Sequence, residues 1–334
     1  MIASVRNATS VQETGNLASI RLGIDIGGTK TAIALGDAEG RILARSRRPT
    51  DPTDRPIEDL ARMAADAKAL AAEHDVAWAD VGRRGLSLPG PLDASGGRVL
   101  HPPNLPGWGD VPVQEILEAE LGGPVHVEND ANAAALAEWR FGAGRGCDDL
   151  AYLTMSTGIG CGLILGGRLH AGFGHFAGEV GHAPVEWPGE LCACGLRGCL
   201  EAYAGGAAWQ RRLRREAPEE GDLARRAGGR EHIRPEHAVE AAREGDAFAR
   251  EEIDRLTDYL ARAIVSLHFT VAPERVVLGT IAVAAGEALF LAPLREKVAA
   301  RCWTGGVGTF EILAATLGED LPYRAGLCAA DEKA

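Results

Sequence analysis

The sequence predicts an α/β protein made of two related α/β domains around a cleft, and three observations carry that reading. The chain has 334 residues, beyond the size at which one hydrophobic core usually keeps growing. A strand, a glycine turn, a second strand and another turn occur near its start and recur more than a hundred residues later. Helical periodicity fills much of the chain between and after the two copies.

Residues 1–19 are polar without clear periodicity and read as a flexible leader. From there Ile20, Leu22, Ile24 and Ile26 alternate with Arg21, Gly23 and Asp25, the period of a strand, and Gly27-Gly28 force a turn. A second strand through Ala32–Leu35, a turn over 36–40 and a third strand from Arg41 to Ala44 give an antiparallel start, and Ile57 to His74 reads as helix. A strand from Pro124 to Val127 leads through 128–132 into a helical run from Ala133 to Trp139. The second copy is a strand Leu150–Met155, the turn Ser156-Thr157-Gly158-Ile159-Gly160, a strand Gly162–Leu165 and the turn Gly166-Gly167-Arg168. Each glycine turn is either an ordinary hairpin turn or a set of N–H groups aimed at one anion between the halves. Ile253, Leu256, Leu260, Ile264 and Leu267 repeat at spacings of three and four and predict an amphipathic scaffold helix. Val276-Val277-Leu278 forms a buried strand ending at Gly279, followed by a helix of about fifteen residues holding Leu289, Leu294 and Val298.

Composition narrows the function. Hydrophobic residues at 46% and charged residues at 25% are the balance of a folded chain. A net charge of −12 repels nucleic acid and anionic membrane alike. No apolar run reaches the ~18–20 residues of a membrane span, and the first residues lack a signal-peptide core, so a cytoplasmic protein is expected. Seven cysteines, three of them between positions 192 and 199, fit a metal site better than a disulfide framework.

Three constellations carry chemistry. Asp25 ends the first strand beside Gly27-Gly28-Thr29-Lys30, where the backbone can approach phosphate, Thr29 and Lys30 can donate to it, and Asp25 can hold hydrated Mg²⁺. The spacing is not that of a Walker loop. In Glu128-Asn129-Asp130-Ala131-Asn132, Asn129 or Asp130 serves as a helix N-cap, or Asp130 is a proton acceptor with Asn129 beside it to bind hydroxyls. Cys192, Cys194 and Cys199 with His182 make a closed Cys₃His set, which suits zinc held for structure and leaves no position for catalytic water. Glu179 and Glu201 flank these ligands and either accept hydrogen bonds from a hydroxylated ligand or stay solvated on the surface.

Together these residues resemble the ROK family of sugar kinases and sugar-responsive repressors, from about Ile24 to near Ala329. The motifs that carry the resemblance are Asp25–Lys30, Glu128–Asn132, Glu179–His182 and Cys192–Glu201. It implies an actin-like (ribonuclease H-like) ATPase fold and an ATP-dependent hexose kinase, with Asp130 as general base and zinc on His182, Cys192, Cys194 and Cys199. Asp25, Gly27, Gly28, Thr29, Lys30, Thr157, Gly158 and Gly279 would hold ATP and Mg²⁺. Leu88-Pro89-Gly90-Pro91 and Pro103–Trp108 are similar to the glucokinase branch. That likeness adds Gly90 and Asn104 to Asn129, Asp130, Glu179, His182 and Glu201 as sugar contacts and makes the 6-hydroxyl of glucose the acceptor. N-acetylmannosamine, N-acetylglucosamine, mannose and fructose are the alternatives. The implied organisation is a small domain over 20–125, completed by a C-terminal helix at about 315–334, a large domain over 126–314 carrying the zinc loop, and a homodimer. Two departures from the family pattern stand out: Ser156 replaces a glycine of the second turn, and Thr280-Ile281 replace glycines after Gly279, which leaves ATP or polyphosphate open as donor. The repressor branch adds a DNA-reading helix-turn-helix, for which the leader is too short. A non-catalytic sugar sensor would give no reason to keep both Asp25 and Asp130.

Overall fold

The alternating start of the chain forms β1 (Ile20–Ile26), which turns into β2 (Lys30–Gly36) and β3 (Ile42–Pro49) as an antiparallel meander. The computed structural model describes residues 20–50, 53, 55–93, 97–102, 105–303 and 310–331; the leader over 1–19 and Asn104 lie outside the described residues. Helix α1 (Pro56–Glu73) buries Leu60, Met63, Ala67 and Leu70, one stripe at helical spacing. It is followed by β4 (Val81–Leu88), the short strands β5 (Leu92–Asp93), β6 (Arg98–Leu100) and β7 (Asp110–Val111), helix α2 (Val113–Leu121), and β8 (His126–Asn129). Helix α3 (Asp130–Phe141) then leads to β9 (Leu150–Met155), β10 (Ile159–Leu165) and β11 (Arg168–Leu169).

A helical stretch follows: α4 (Leu200–Ala204), α5 (Gly206–Glu216), α6 (Asp222–Ala227), α7 (Pro235–Glu244) and the long α8 (Ala247–Val271). After β12 (Arg275–Leu278) the expected single helix is broken. It is α9 (Ile281–Gly286), a π-helical stretch Glu287–Leu291 and α10 (Ala292–Ala299), because Gly286 takes φ +81° and interrupts the α-helical ladder. The described chain closes with β13 (Glu311–Ala314) and α11 (Leu321–Ala329).

The two main sheets have the same strand order, β3-β2-β1-β4-β8 and β11-β10-β9-β12-β13. In each, an antiparallel meander is extended by two parallel strands, so the duplication read from the two glycine turns is a duplication of the whole sheet, the topology of an actin-like ATPase fold. The chain passes between the sheets twice, once through α3 and once through the segment before α11. Glu138 of α3, fully buried, ties the two passages together by accepting from the N–H groups of Thr316 and Leu317, both at 3.0 Å. Helix α11 returns to lie on the first sheet at backbone contact: a Cβ on Gly23 would stand 2.3 Å from the Gly326 carbonyl carbon. Only glycine permits that approach. No helix among the described residues is long and apolar enough to cross a membrane.

Candidate active site

In both sheets the predicted site residues sit where parallel strands end, the location at which open α/β sheets present ligand-binding loops. Asp25 lies at the end of β1, Gly90 just past β4, Asn129 and Asp130 at the junction of β8 and α3, the turn 156–160 after β9, and Gly279 after β12.

The first turn is braced from β3. Gly27 N–H donates to the Lys30 carbonyl at 3.0 Å, Thr50 N–H to the Thr29 carbonyl at 2.9 Å, and Thr50 Oγ1 to the Gly27 carbonyl at 2.8 Å. Gly28, Thr29 and Lys30 are left facing solvent. Asp25 is held by Ser87 of β4, whose Oγ donates to Asp25 Oδ1 at 2.6 Å. Burial raises the Asp25 carboxyl to about 7; the Asp130 charge adds to the rise, while the Ser87 hydrogen bond and Arg47 oppose it. A carboxylate so destabilised in its ionised form suits a divalent cation, which supplies the missing compensation.

The junction of β8 and α3 decides between the two roles open for Asn129 and Asp130. Asn129 is the cap: its backbone is extended and its Oδ1 accepts from the N–H groups of Ala131 at 2.9 Å and Asn132 at 3.3 Å. Capping uses the acceptor half of Asn129; its donor Nδ2 lies close to Gly90, where an added Cβ would stand 3.4 Å from it. Asp130 becomes the first residue of α3 and is not needed as the cap. Its pKa is raised, first by burial and then by the charge of Glu179, against hydrogen bonds from the Ala131 and Asp130 amides. The residue as a whole is half-buried. Glu128 is structural, its Oε1 accepting from Asn132 Nδ2 at 2.9 Å.

The metal set assembles. One ligand atom each from His182, Cys192, Cys194 and Cys199 lies within 4.8 Å of the others, with Cys194 Sγ 3.7 Å from Cys199 Sγ and His182 Nδ1 3.9 Å from Cys192 Sγ. Donors around one tetrahedral zinc at ~2.0–2.3 Å stand about 3.4–3.8 Å apart, so the residues fit that ion. Burial pushes the Cys192 thiol up and, together with its fellow thiols, raises Cys199 to about 12. A cation is what reverses that cost. With Nδ1 toward the thiols, His182 Nε2 faces Glu179 at 4.0 Å, and metal on Nδ1 would fix the proton on Nε2.

The second turn is built differently from the first. Glu201 Oε2 accepts from Ile159 N–H at 2.8 Å and sits so close that a Cβ on Gly158 would meet it at 2.3 Å. Part of the Glu201 carboxylate, foreseen as a sugar contact, therefore fastens this turn to the zinc loop. Ser156 and Thr157 are exposed, and their carbonyls accept from Gly206 and Ala207 N–H. The two departures from the expected pattern are unlike each other. Ser156 has no positive φ, whereas Thr280 takes φ +51°, ψ −102°, with its hydroxyl 3.3 Å from that of Thr154. Of the foreseen residues, Asn104 alone lies outside the description; its neighbours Leu105 and Trp108 are buried in the first core. Sequence reasoning missed Ser87, since nothing in a single strand announces its partner across the sheet.

The ROK family model matches residues 21–327. The chain is 38% identical over 301 residues to a glucokinase of Thermotoga maritima, covering 90% of this chain and 93% of that one. It is 33% identical over 320 residues to a glucokinase of Streptomyces coelicolor, covering 94% and 97%. Among solved structures, a ROK family glucokinase from Streptomyces griseus in complex with glucose and AMPPNP superposes with a TM-score of 0.78 at 34% identity, over 93% of this chain and 99% of that one.

Proposed function

The chain belongs to the ROK family, and we propose that it is a hexokinase-type kinase that transfers the γ-phosphoryl group of ATP to the 6-hydroxyl of glucose, with Asp130 as general base. One observation carries the assignment of the base: Asn129 takes over the cap, so Asp130 stands at the start of α3, its pKa raised, in the electrostatic reach of Asp25 and Glu179. In the transfer, the sugar oxygen bonds to the γ-phosphorus as the bond from that phosphorus to the β,γ-bridging oxygen breaks. The bridging electron pair leaves with ADP, and the hydroxyl proton passes to Asp130. Burial helps, because a base with a raised pKa holds that proton more strongly.

Asn129 Nδ2, Gly90, Asn104, Glu179, His182 and Glu201 orient the sugar; Gly27, Gly28, Thr29 and Lys30 receive the phosphates, with Thr157, Gly158 and Gly279 on the side of the second sheet. Asp25 would hold Mg²⁺, which spreads phosphate charge when bound. His182, Cys192, Cys194 and Cys199 would hold zinc as a fixed scaffold for Glu179 and Glu201. The setting is cytoplasmic and the assembly a homodimer.

The test is ADP release in a coupled assay with a panel of hexoses, on wild type and Asp130→Asn. Glucose should stimulate release in wild type, and the substitution should lower kcat by about 10²–10⁴-fold. In wild type, kcat/KM should fall as pH is lowered through the raised Asp130 pKa. No stimulation by any hexose, or most activity kept by Asp130→Asn, rejects the assignment; glucose 6-phosphate formed from polyphosphate and not from ATP rejects the donor.

A further inference from the structure

The first sheet aligns four residues in one row. Asp25 on β1 pairs in register with Ser87 on β4 and with Ala32 on β2, and Ala32 pairs with Arg47 on β3. Residues directly opposite each other in a sheet point to the same face, and so do residues two apart on one strand. Arg47 therefore shares the face of Asp25, and Lys30, two residues before Ala32, is its diagonal neighbour. In that row Ala32 is the residue between Asp25 and Arg47.

The other arginines around β3 are spoken for: Arg41 pairs with Asp37, Arg45 with Asp320 and Arg48 with Asp66. Arg47 and Lys30 are both exposed, and neither makes a hydrogen bond or a close ion pair among the described residues, Asp25 acting on Arg47 through its charge alone. Two unpaired cations as diagonal neighbours repel each other unless an anion lies with them. Meanwhile the carboxylates gathered near the cleft, Asp25, Asp130 and Glu179, all carry the sign of a triphosphate. A donor entering there meets charge repulsion that the glycine turn alone does not offset.

We propose that Arg47 is a donor-binding residue that, with Lys30, contacts the terminal phosphates of ATP at the Gly27–Lys30 turn. The inference rests on the kinase reading above and deepens it. Lys30 supplies a point charge at the turn itself; Arg47 supplies a planar fork that can take two phosphate oxygens at once. The side chain is solvent-exposed, β3 braces the turn through Thr50 three residues on, and so the guanidinium can close on phosphate without disturbing the core. Arg47 also opposes the rise of the Asp25 pKa, which places its charge within electrostatic range of the phosphate site.

The experiment compares wild type, Arg47→Gln, Arg47→Lys and Arg45→Gln by initial rates with varied ATP and glucose, and by calorimetric titration with AMPPNP and Mg²⁺. Arg47→Gln should raise KM for ATP about tenfold and weaken AMPPNP similarly, with KM for glucose within about twofold. Arg47→Lys should recover part of the loss, because charge returns without the fork. Arg45→Gln, on the same strand but paired with Asp320, should leave KM for ATP within about twofold. Unchanged ATP and AMPPNP parameters in Arg47→Gln overturn the proposal, as does an equal loss in Arg45→Gln, which would indicate a general charge effect. If wild type shows no glucose-dependent ADP release, the kinase reading fails and this inference with it; if wild type is active and Arg47→Gln matches it, only this inference fails.

Discussion

The two glycine turns occupy equivalent places in two sheets of identical strand order, yet they have opposite chemistry. The first is open: Gly28, Thr29 and Lys30 face solvent, the bracing comes from Thr50 behind the turn, and two exposed cations, Lys30 and Arg47, share its face. The second is occupied from within, because Glu201 takes the Ile159 N–H and fills the space beside Gly158. Duplication supplied one architecture, and side chains from outside each turn then decided what it can bind. On the proposed reading the first would take the charged end of the donor, while the second, fastened by Glu201 to the segment after Cys199, would take the less charged side of the nucleotide.

The most severe test of that contrast is Asp25→Asn. Asparagine keeps the acceptor for Ser87 Oγ–H but loses the charge that would hold Mg²⁺, and kcat should fall by about 10³-fold. Stability should move the other way. The folded pKa of Asp25, about 7, lies above its ordinary carboxylate value, so the folded state keeps a proton that the unfolded chain has released. Wild type is therefore unpenalised below about pH 4, loses stability as pH rises from there to about 7, and carries the full cost above. In metal-free buffer at pH 8, Asp25→Asn should be more stable than wild type by about 1–3 kcal/mol, with the gap closing near pH 4. Equal denaturation midpoints at both pH values would remove the claim that burial destabilises this carboxylate.

A smaller effect is expected from Cys194→Ser, which sharpens the contrast from the other side. Loss of the thiolate should release zinc, read by metal analysis of the purified protein, and raise KM for glucose by about 10–100-fold as Glu179, His182 and Glu201 lose their common anchor. Since Glu201 also fastens the second turn, KM for ATP should rise too, but AMPPNP protection of the first turn against amide exchange should persist. Zinc retained in the variant, or protection lost equally at both turns, would mean that the two are not held independently.

How much of this was written legibly in the chain depends on the range of the interaction. The Cys₃His set lies within twenty residues and announces itself through residue type and spacing. The first strand, its turn and the repeated copy are local patterns of period and glycine, and they reappear as β1, β2, β9 and β10. The Ser87 hydrogen bond, the row from Asp25 to Arg47 and the second task of Glu201 depend on register between strands or on loops far apart in sequence, which periodicity along one strand does not encode. The helix after Gly279 was misjudged for another reason: its apolar residues keep a helical rhythm, while Gly286 breaks the hydrogen-bond ladder without disturbing that rhythm.

The least effect, and the finest discrimination, comes from Ser156 and Thr280 in the second half. Ser156 has no positive φ, so glycine there relieves nothing and enlarges the unfolded ensemble; Ser156→Gly should cost about 0.5–1 kcal/mol. Thr280 holds φ +51°, a strain worth roughly 1–3 kcal/mol for a branched residue, against which stand the entropy of glycine and a long hydroxyl contact to Thr154. Thr280→Gly should therefore be neutral to about 1 kcal/mol more stable in urea titration. A loss for Ser156→Gly with none for Thr280→Gly is the expected result. If both destabilise equally, the φ of Thr280 is relaxed in solution, and this strand end carries no strain set aside for the donor.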